Sequence, residues 1–332
     1  MLPEENSLVE RINSISKNAQ DNGWKITREA MASADSSDSS VQSELTQKAE
    51  LTYRSPLSQI AEIILFDNPS EELLEFLKIE FLKTEINVFD LYRRVERLAD
   101  AGEMGKLTFD RCVTLGDPSL INRCGNFLTL VRSGEAYACL GMEEFEKAYK
   151  IFSEVEKTFG SMELEKSRGK DTVMYYSNRA ANLLNMVNIS VNQRIFVEEI
   201  DENLSSAEEY NQRSNRVIFN SDLSSEDESI WVANFYHNSG LIHQFRGDIN
   251  MAIRDFRDAL TVSRKGSGYN HQIIVLYIKL SDALLSTQDP THIDEVRSNY
   301  HLIKNFISEK GGFGVYNPII NPLVKRIKIA LE

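Results

Sequence analysis

Glycine and proline are scarce in this chain, 16 and 7 of 332 residues, which excludes a collagen-like architecture and favours helices over turn-rich sheets. Cysteine is scarcer still. Cys112, Cys124 and Cys139 are odd in number and lack CxxC spacing, so neither a disulfide framework nor a thiolate zinc site is indicated. They read as small core residues. Long apolar runs are missing too: stretches such as IAEIILF are far too short to cross a bilayer. The opening MLPEENSLVERI has neither the basic n-region nor the apolar h-region of a secretory signal, so a cytoplasmic location is expected. Positive charge is in deficit, because 37 Lys plus Arg against 50 Asp plus Glu leave a net −13. Nonspecific polyanion binding, which needs clustered cations, is therefore not expected, and any nucleic-acid contact must be local.

What is present is a repeat. In FYHNSGLIHQFRGDINMAIRDFRDALTVS, Tyr236, Gly240 and His243 take the W, G and Y places of the tetratricopeptide pattern, and Gly247 stands at the turn. Ala252, Phe256 and Ala259 follow as the A-x3-F and the next small position. Small residues let antiparallel helices approach, while the aromatic fills the wedge between hairpins. A second copy lies upstream in RSGEAYACLGMEEFEKAYKIFSEVEK, through Gly134, Tyr137, Leu140, Gly141, Ala148, Phe152 and Val155. Between them, Tyr176, Asn178 and Ala180 repeat the phrase of Tyr236, Asn238 and Gly240, and LYIKLSDALLS with DEVRSNYHLIKNFI supplies a fourth hairpin.

The expected fold class is all-α: an N-terminal helix-turn-helix, then a right-handed tetratricopeptide-like α-solenoid with a C-terminal capping helix. Residues 126–310 form the peptide-binding repeats. Residues 56–125, with SPLSQIAEIILF, SEELLEFLKIEFLK and NVFDLYRRVERLAD, read as amphipathic helices of degenerate hairpins. Residues 311–332, a Gly-Gly-Phe-Gly break and NPIINPLVKRIKIALE, supply a helix for capping or dimerisation.

Residues 1–55 differ. SLVERINSISKNA places Leu8, Val9, Ile12 and Ile15 on one side, Asn22-Gly23 predicts a stop, TREAMASA predicts a short helix, and Ser39 with Gln42 makes a capping box after the DSSDSS tract. This outlines a helix-turn-helix with Ser40–Leu51 as recognition helix. Ser39, Ser40, Gln42 and Ser43 are short hydrogen bonders at a helix start, suited to base edges or phosphates, and Lys25, Arg28 and Lys48 suit the DNA backbone. The competing reading is a mobile, solvated linker, since six Lys or Arg stand here against nine Asp or Glu.

The repeats carry more chemistry. Counting the small residue as place 8, places 2, 6, 9 and 13 share one face of each first helix. That inner face reads Leu128, Arg132, Glu135, Cys139; then Met174, Asn178, Ala181, Asn185; then Asn234, Asn238, Leu241, Phe245; then Val275, Lys279, Asp282, Ser286. The peptide-binding candidates are Arg132, Asn178, Asn185, Asn234, Asn238, Phe245, Lys279 and Asp282. An asparagine amide donates and accepts, so it pairs with an extended backbone whatever its sequence, and Arg132 or Lys279 suits a carboxylate. The bland alternative is a merely soluble helix face. A chaperone-type carboxylate clamp is disfavoured because Val131, Ser177 and His237 fill its main cationic place.

Catalytic, metal and cofactor patterns are weak, and none is expected. RGKDT has Leu164 and Asp171 where a phosphate loop needs Gly and Ser or Thr, and His237 and His243 are six apart on one helix. KGSGYNH and GGFGVYN follow no predicted strand.

Taken together, ASADSSDSSVQSEL, RRVERLADAGEM, SNRAANLLNMVNISVNQ and DFRDALTVS make the chain resemble the RRNPP peptide-sensing regulators, and within them the phage arbitrium receptors. That resemblance implies a homodimer taking a short signalling peptide in its concave groove, with Asn178 and Asn238 on the peptide backbone. It further implies operator binding by Ser40 to Lys48, changed by the peptide, and control of lysis against lysogeny. Its non-DNA relatives imply a protein partner instead, and a plain interaction scaffold is the simplest rival.

Overall fold

A computed structural model of the chain describes residues 3–33, 39–66, 69–95, 97–162, 169–265, 270–310 and 317–332. These fold as thirteen α-helices, with no strand among the described residues. No helix among them is long and apolar enough to cross a membrane. Two compact units share the chain, residues 1–131 and residues 132–332, and the division falls inside one helix.

The first unit holds α1 (Pro3–Ser33), α2 (Ser39–Phe66), α3 (Glu71–Arg94), α4 (Leu98–Leu115) and the first part of α5 (Pro118–Gly141). Its N-terminal end departs from expectation. The predicted stop at Asn22-Gly23 and the separate helix after it are absent, since α1 runs unbroken for 31 residues. α2 continues for 28 residues through Pro56, so the expected recognition helix is only its first half. Together α1 and α2 make a long hairpin rather than a helix-turn-helix. The expected break between SEELLEFLKIEFLK and NVFDLYRRVERLAD is absent too, because α3 spans it as far as Arg94. The DSSDSS tract and the two glycine-rich segments lie, for the most part, outside the described residues.

The physical reason is burial on both sides of the supposed stop. Leu8, Val9 and Ile12 pack with Ile60, Ile63, Leu73 and Leu77, while further along Thr27 and Ala30 are buried too. Gly23 serves as a point of close approach: a Cβ there would lie 2.5 Å from the Tyr53 ring. That ring is held, being 6% exposed, with its hydroxyl 3.3 Å from that of Thr27. Gly23→Ala is therefore expected to destabilise the first unit by about 1–3 kcal/mol through overpacking. Urea unfolding measures it, and an unchanged midpoint would contradict this packing.

The second unit contains the rest of α5, then α6 (Phe145–Gly160), α7 (Lys170–Gln193), α8 (Ile200–Asn220), α9 (Ser225–Phe245), α10 (Ile249–Lys265), α11 (Asn270–Ser286), α12 (Ile293–Lys310) and α13 (Asn317–Leu331). Here the repeat reading stands. α7 pairs with α8, α9 with α10 and α11 with α12, and α7 also meets α9, so these two first helices lie side by side. The signature residues act as the pattern demands: Ala148, Phe152, Ala252, Phe256 and Ala259 are 0% exposed. At Gly240 a Cβ would lie 2.6 Å from the Phe256 ring, which is why the smallest side chain faces the aromatic wedge. The drifted second helix at residues 200–217 is α8. α13 packs on α11 and α12, with Ile320 and Ile327 buried. All three cysteines are buried and free.

Candidate functional site

The inner faces of α7, α9 and α11 enclose a cavity of about 330 Å³. Asn178, Ala181 and Asn185 line it from α7, Asn234, His237, Asn238 and Leu241 from α9, and Gln272, Val275 and Lys279 from α11. Tyr137 of α5 and Ile320 of α13 complete the wall. The convergence follows from helical spacing: places 2, 6, 9 and 13 fall on one stripe, and stacking first helices side by side turns the stripes into one surface.

Five of the eight peptide-binding candidates therefore meet: Asn178, Asn185, Asn234, Asn238 and Lys279. They are not equally available. Asn185 donates to the Tyr137 hydroxyl at 2.8 Å, Asn234 accepts from Gln272 at 2.6 Å, and buried Asn238 donates to the Ser177 carbonyl at a long 3.4 Å. Half-buried Asn178 has no hydrogen-bond partner among the described residues, so its amide is the freest of the set.

The other three do not join them. Arg132 is committed to Glu135 and Glu154, because α6 brings an acid against it. Phe245 packs into the apolar cluster around Leu183, Leu184 and Ile242. Asp282 is 4% exposed; it pairs with Arg326 of α13 at 2.9 Å and accepts from Gln244 at 2.8 Å. These are cross-helix contacts that spacing within one helix does not reveal.

The reading along the repeats missed Gln272, Tyr137 and Ile320 as lining residues, and it gave His237 no role there. His237 packs on the Phe256 ring, and its Nε2 is buried with no hydrogen-bond partner. Burial first, and then the charge of Lys279, push the His237 imidazole down to about 3, so it is neutral at pH 7. Burial likewise lowers the Lys279 ammonium, opposed by the negative charge of Asp282. A second cavity of about 840 Å³ also has Lys279 in its wall, with Asn188, Asn192, Glu143 and residues 321–323 of α13. Among the described residues no group of three or more His, Cys, Asp or Glu is placed to hold a metal ion.

The DNA-binding candidates are dispersed along the hairpin. Lys25, Arg28, Ser40, Ser43 and Lys48 are exposed, and the Arg28 guanidinium lies 5.8 Å over the Trp24 ring. Gln42 and Ser43 line a separate cavity with Glu50, Val95 and Arg97. Ser39 opens α2, and its side chain lies outside the described set. Without a short turn between two crossed helices, these residues have lost the frame that would present them to a groove.

No family model matches the sequence, and no curated protein sequence matches it. Among solved structures the chain is similar to BtubC (BKLC) from P. vanneervenii, at 16% identity and a TM-score of 0.43, covering 86% of this chain and 92% of that one. It is also similar to a circular tandem repeat protein with novel repeat topology and enhanced subunit contact surfaces, at 14% identity and a TM-score of 0.33, covering 95% of this chain and 76% of that one. The chain is an all-α helical-repeat protein.

Proposed function

We propose that the protein is a peptide-responsive regulator whose repeat groove binds a short extended peptide and passes the event to a protein partner. The observation that carries this is the convergence of Asn178, Asn185, Asn234, Asn238 and Lys279 on one cavity. Amides along three successive helices offer donors and acceptors at intervals, which suits the main chain of an extended ligand. A protein partner is favoured over operator DNA because α1 and α2 form a long hairpin and residues 1–55 carry more acid than base. Enzymatic activity is no part of this reading.

Equilibrium dialysis against a fluorescent pool of random hexapeptides tests the groove. Asn178→Ala is expected to weaken retention roughly five- to tenfold, the equivalent of about one hydrogen bond, with an unchanged melting temperature. Retention equal to that of the unaltered protein would remove Asn178 from the site. A genomic DNA fragment captured by the protein and released by the same peptides would reinstate the operator reading.

A further inference from the structure

We propose that Lys279 is the anion subsite of this groove and takes a carboxylate carried by the peptide, either an Asp or Glu side chain or a free C-terminus. This deepens the groove reading and rests on it.

The argument is one of charge balance. Lys279 is half-buried, and among the described residues it has no ion-pair or hydrogen-bond partner. The acid one turn along α11, Asp282, is held by Arg326 and Gln244. The other basic group in the cavity wall, His237, is neutral, and none of the residues lining that cavity is acidic. The neighbouring cavity, whose wall Lys279 shares, offers only exposed Glu143. An ammonium partly withdrawn from water, whose one nearby acid Asp282 is already shared with Arg326 and Gln244, is disfavoured, and an incoming carboxylate improves the balance with charge-assisted hydrogen bonds. Arg132, the other cation on the inner faces, is already neutralised by Glu135 and Glu154. The ligand's carboxylate is thereby placed at α11, beside the amides of α9 and α7 that line the same cavity.

A lysine that served only to cover apolar surface with its stem would behave differently. In that case Lys279→Met would be neutral for stability and for ligand charge. On the present reading Lys279→Met raises the melting temperature by removing an unpaired desolvated charge, and it abolishes discrimination by carboxylate.

Three fluorescent hexapeptide pools built from uncharged residues make the test: one with a free C-terminus, one amidated, and one amidated with a single internal Glu. By equilibrium dialysis the protein is expected to bind at least one acid-bearing pool about tenfold or more tightly than the uncharged amide pool, about 1.4 kcal/mol. Lys279→Met and Lys279→Gln are expected to bind all three alike. Preference for the free-acid pool assigns the carboxylate to a C-terminus, and preference for the Glu pool assigns it to a side chain. Equal binding of all three pools by the unaltered protein overturns the anion subsite and leaves the groove. Binding of none of them, with helical content intact by circular dichroism, overturns groove and subsite together.

Discussion

Phe256→Ala is expected to cost about 3–5 kcal/mol, the range for removing a fully buried aromatic and leaving a cavity. The ring is 0% exposed, packs in the cluster with Ala252, Ala259, Leu276 and Ala283, and fills the space that Gly240 leaves open. Collapse cannot close such a gap easily, because helix backbones stand on both sides of the wedge. His237 rests on the same ring, with centroids 6.1 Å apart, so the substitution also removes support from the groove wall. Urea unfolding gives the stability change and the hexapeptide pool gives the functional one. A loss below about 1 kcal/mol would mean that the wedge is not the keystone that the repeat pattern implies.

Acid is expected to destabilise the second unit through His237. The imidazole is held at about 3 in the fold and rises to about 6.5 on unfolding. Between those values the unfolded chain binds the additional proton, so stability rises with pH across the window from about 3 to 6.5 and is lost as pH falls through it. The charged group facing His237 is Lys279 of α11, with the Asp282–Arg326 pair beyond it, and the groups on α7 in the cavity wall are neutral. At pH 4 the penalty is about 3 to 4 kcal/mol, from 2.5 units at about 1.4 kcal/mol each. The measurement is the difference in unfolding free energy between the protein and His237→Gln at pH 7 and pH 4, which cancels the titration of the surface carboxylates. Parallel pH profiles would show that His237 becomes protonated without leaving its place.

The same residues separate what was legible in the chain from what was not. Ala252, Phe256, Ala259 and Gly240 declared the hairpins because a repeat writes its packing rule once per copy, and each copy supports the others. The inner-face stripe was legible for the same reason, and it located Asn178, Asn185, Asn234, Asn238 and Lys279 on one surface. Residues 1–55 have no second copy. There the Asn22-Gly23 pair carried a local stop signal that burial against Tyr53 overrode, since tertiary packing outweighs a local preference worth about 1 kcal/mol.

The sequence by itself determined the all-α class, the hairpin pairing of the repeats and the stripe of amides, because each follows from a period along one helix. The tertiary structure alone decided which members of that stripe are free. Glu154 from α6 neutralises Arg132, Arg326 from α13 takes Asp282, and Lys279 is left without an ion-pair or hydrogen-bond partner among the described residues. Those outcomes depend on which helices meet across space, and no spacing within a single helix encodes them.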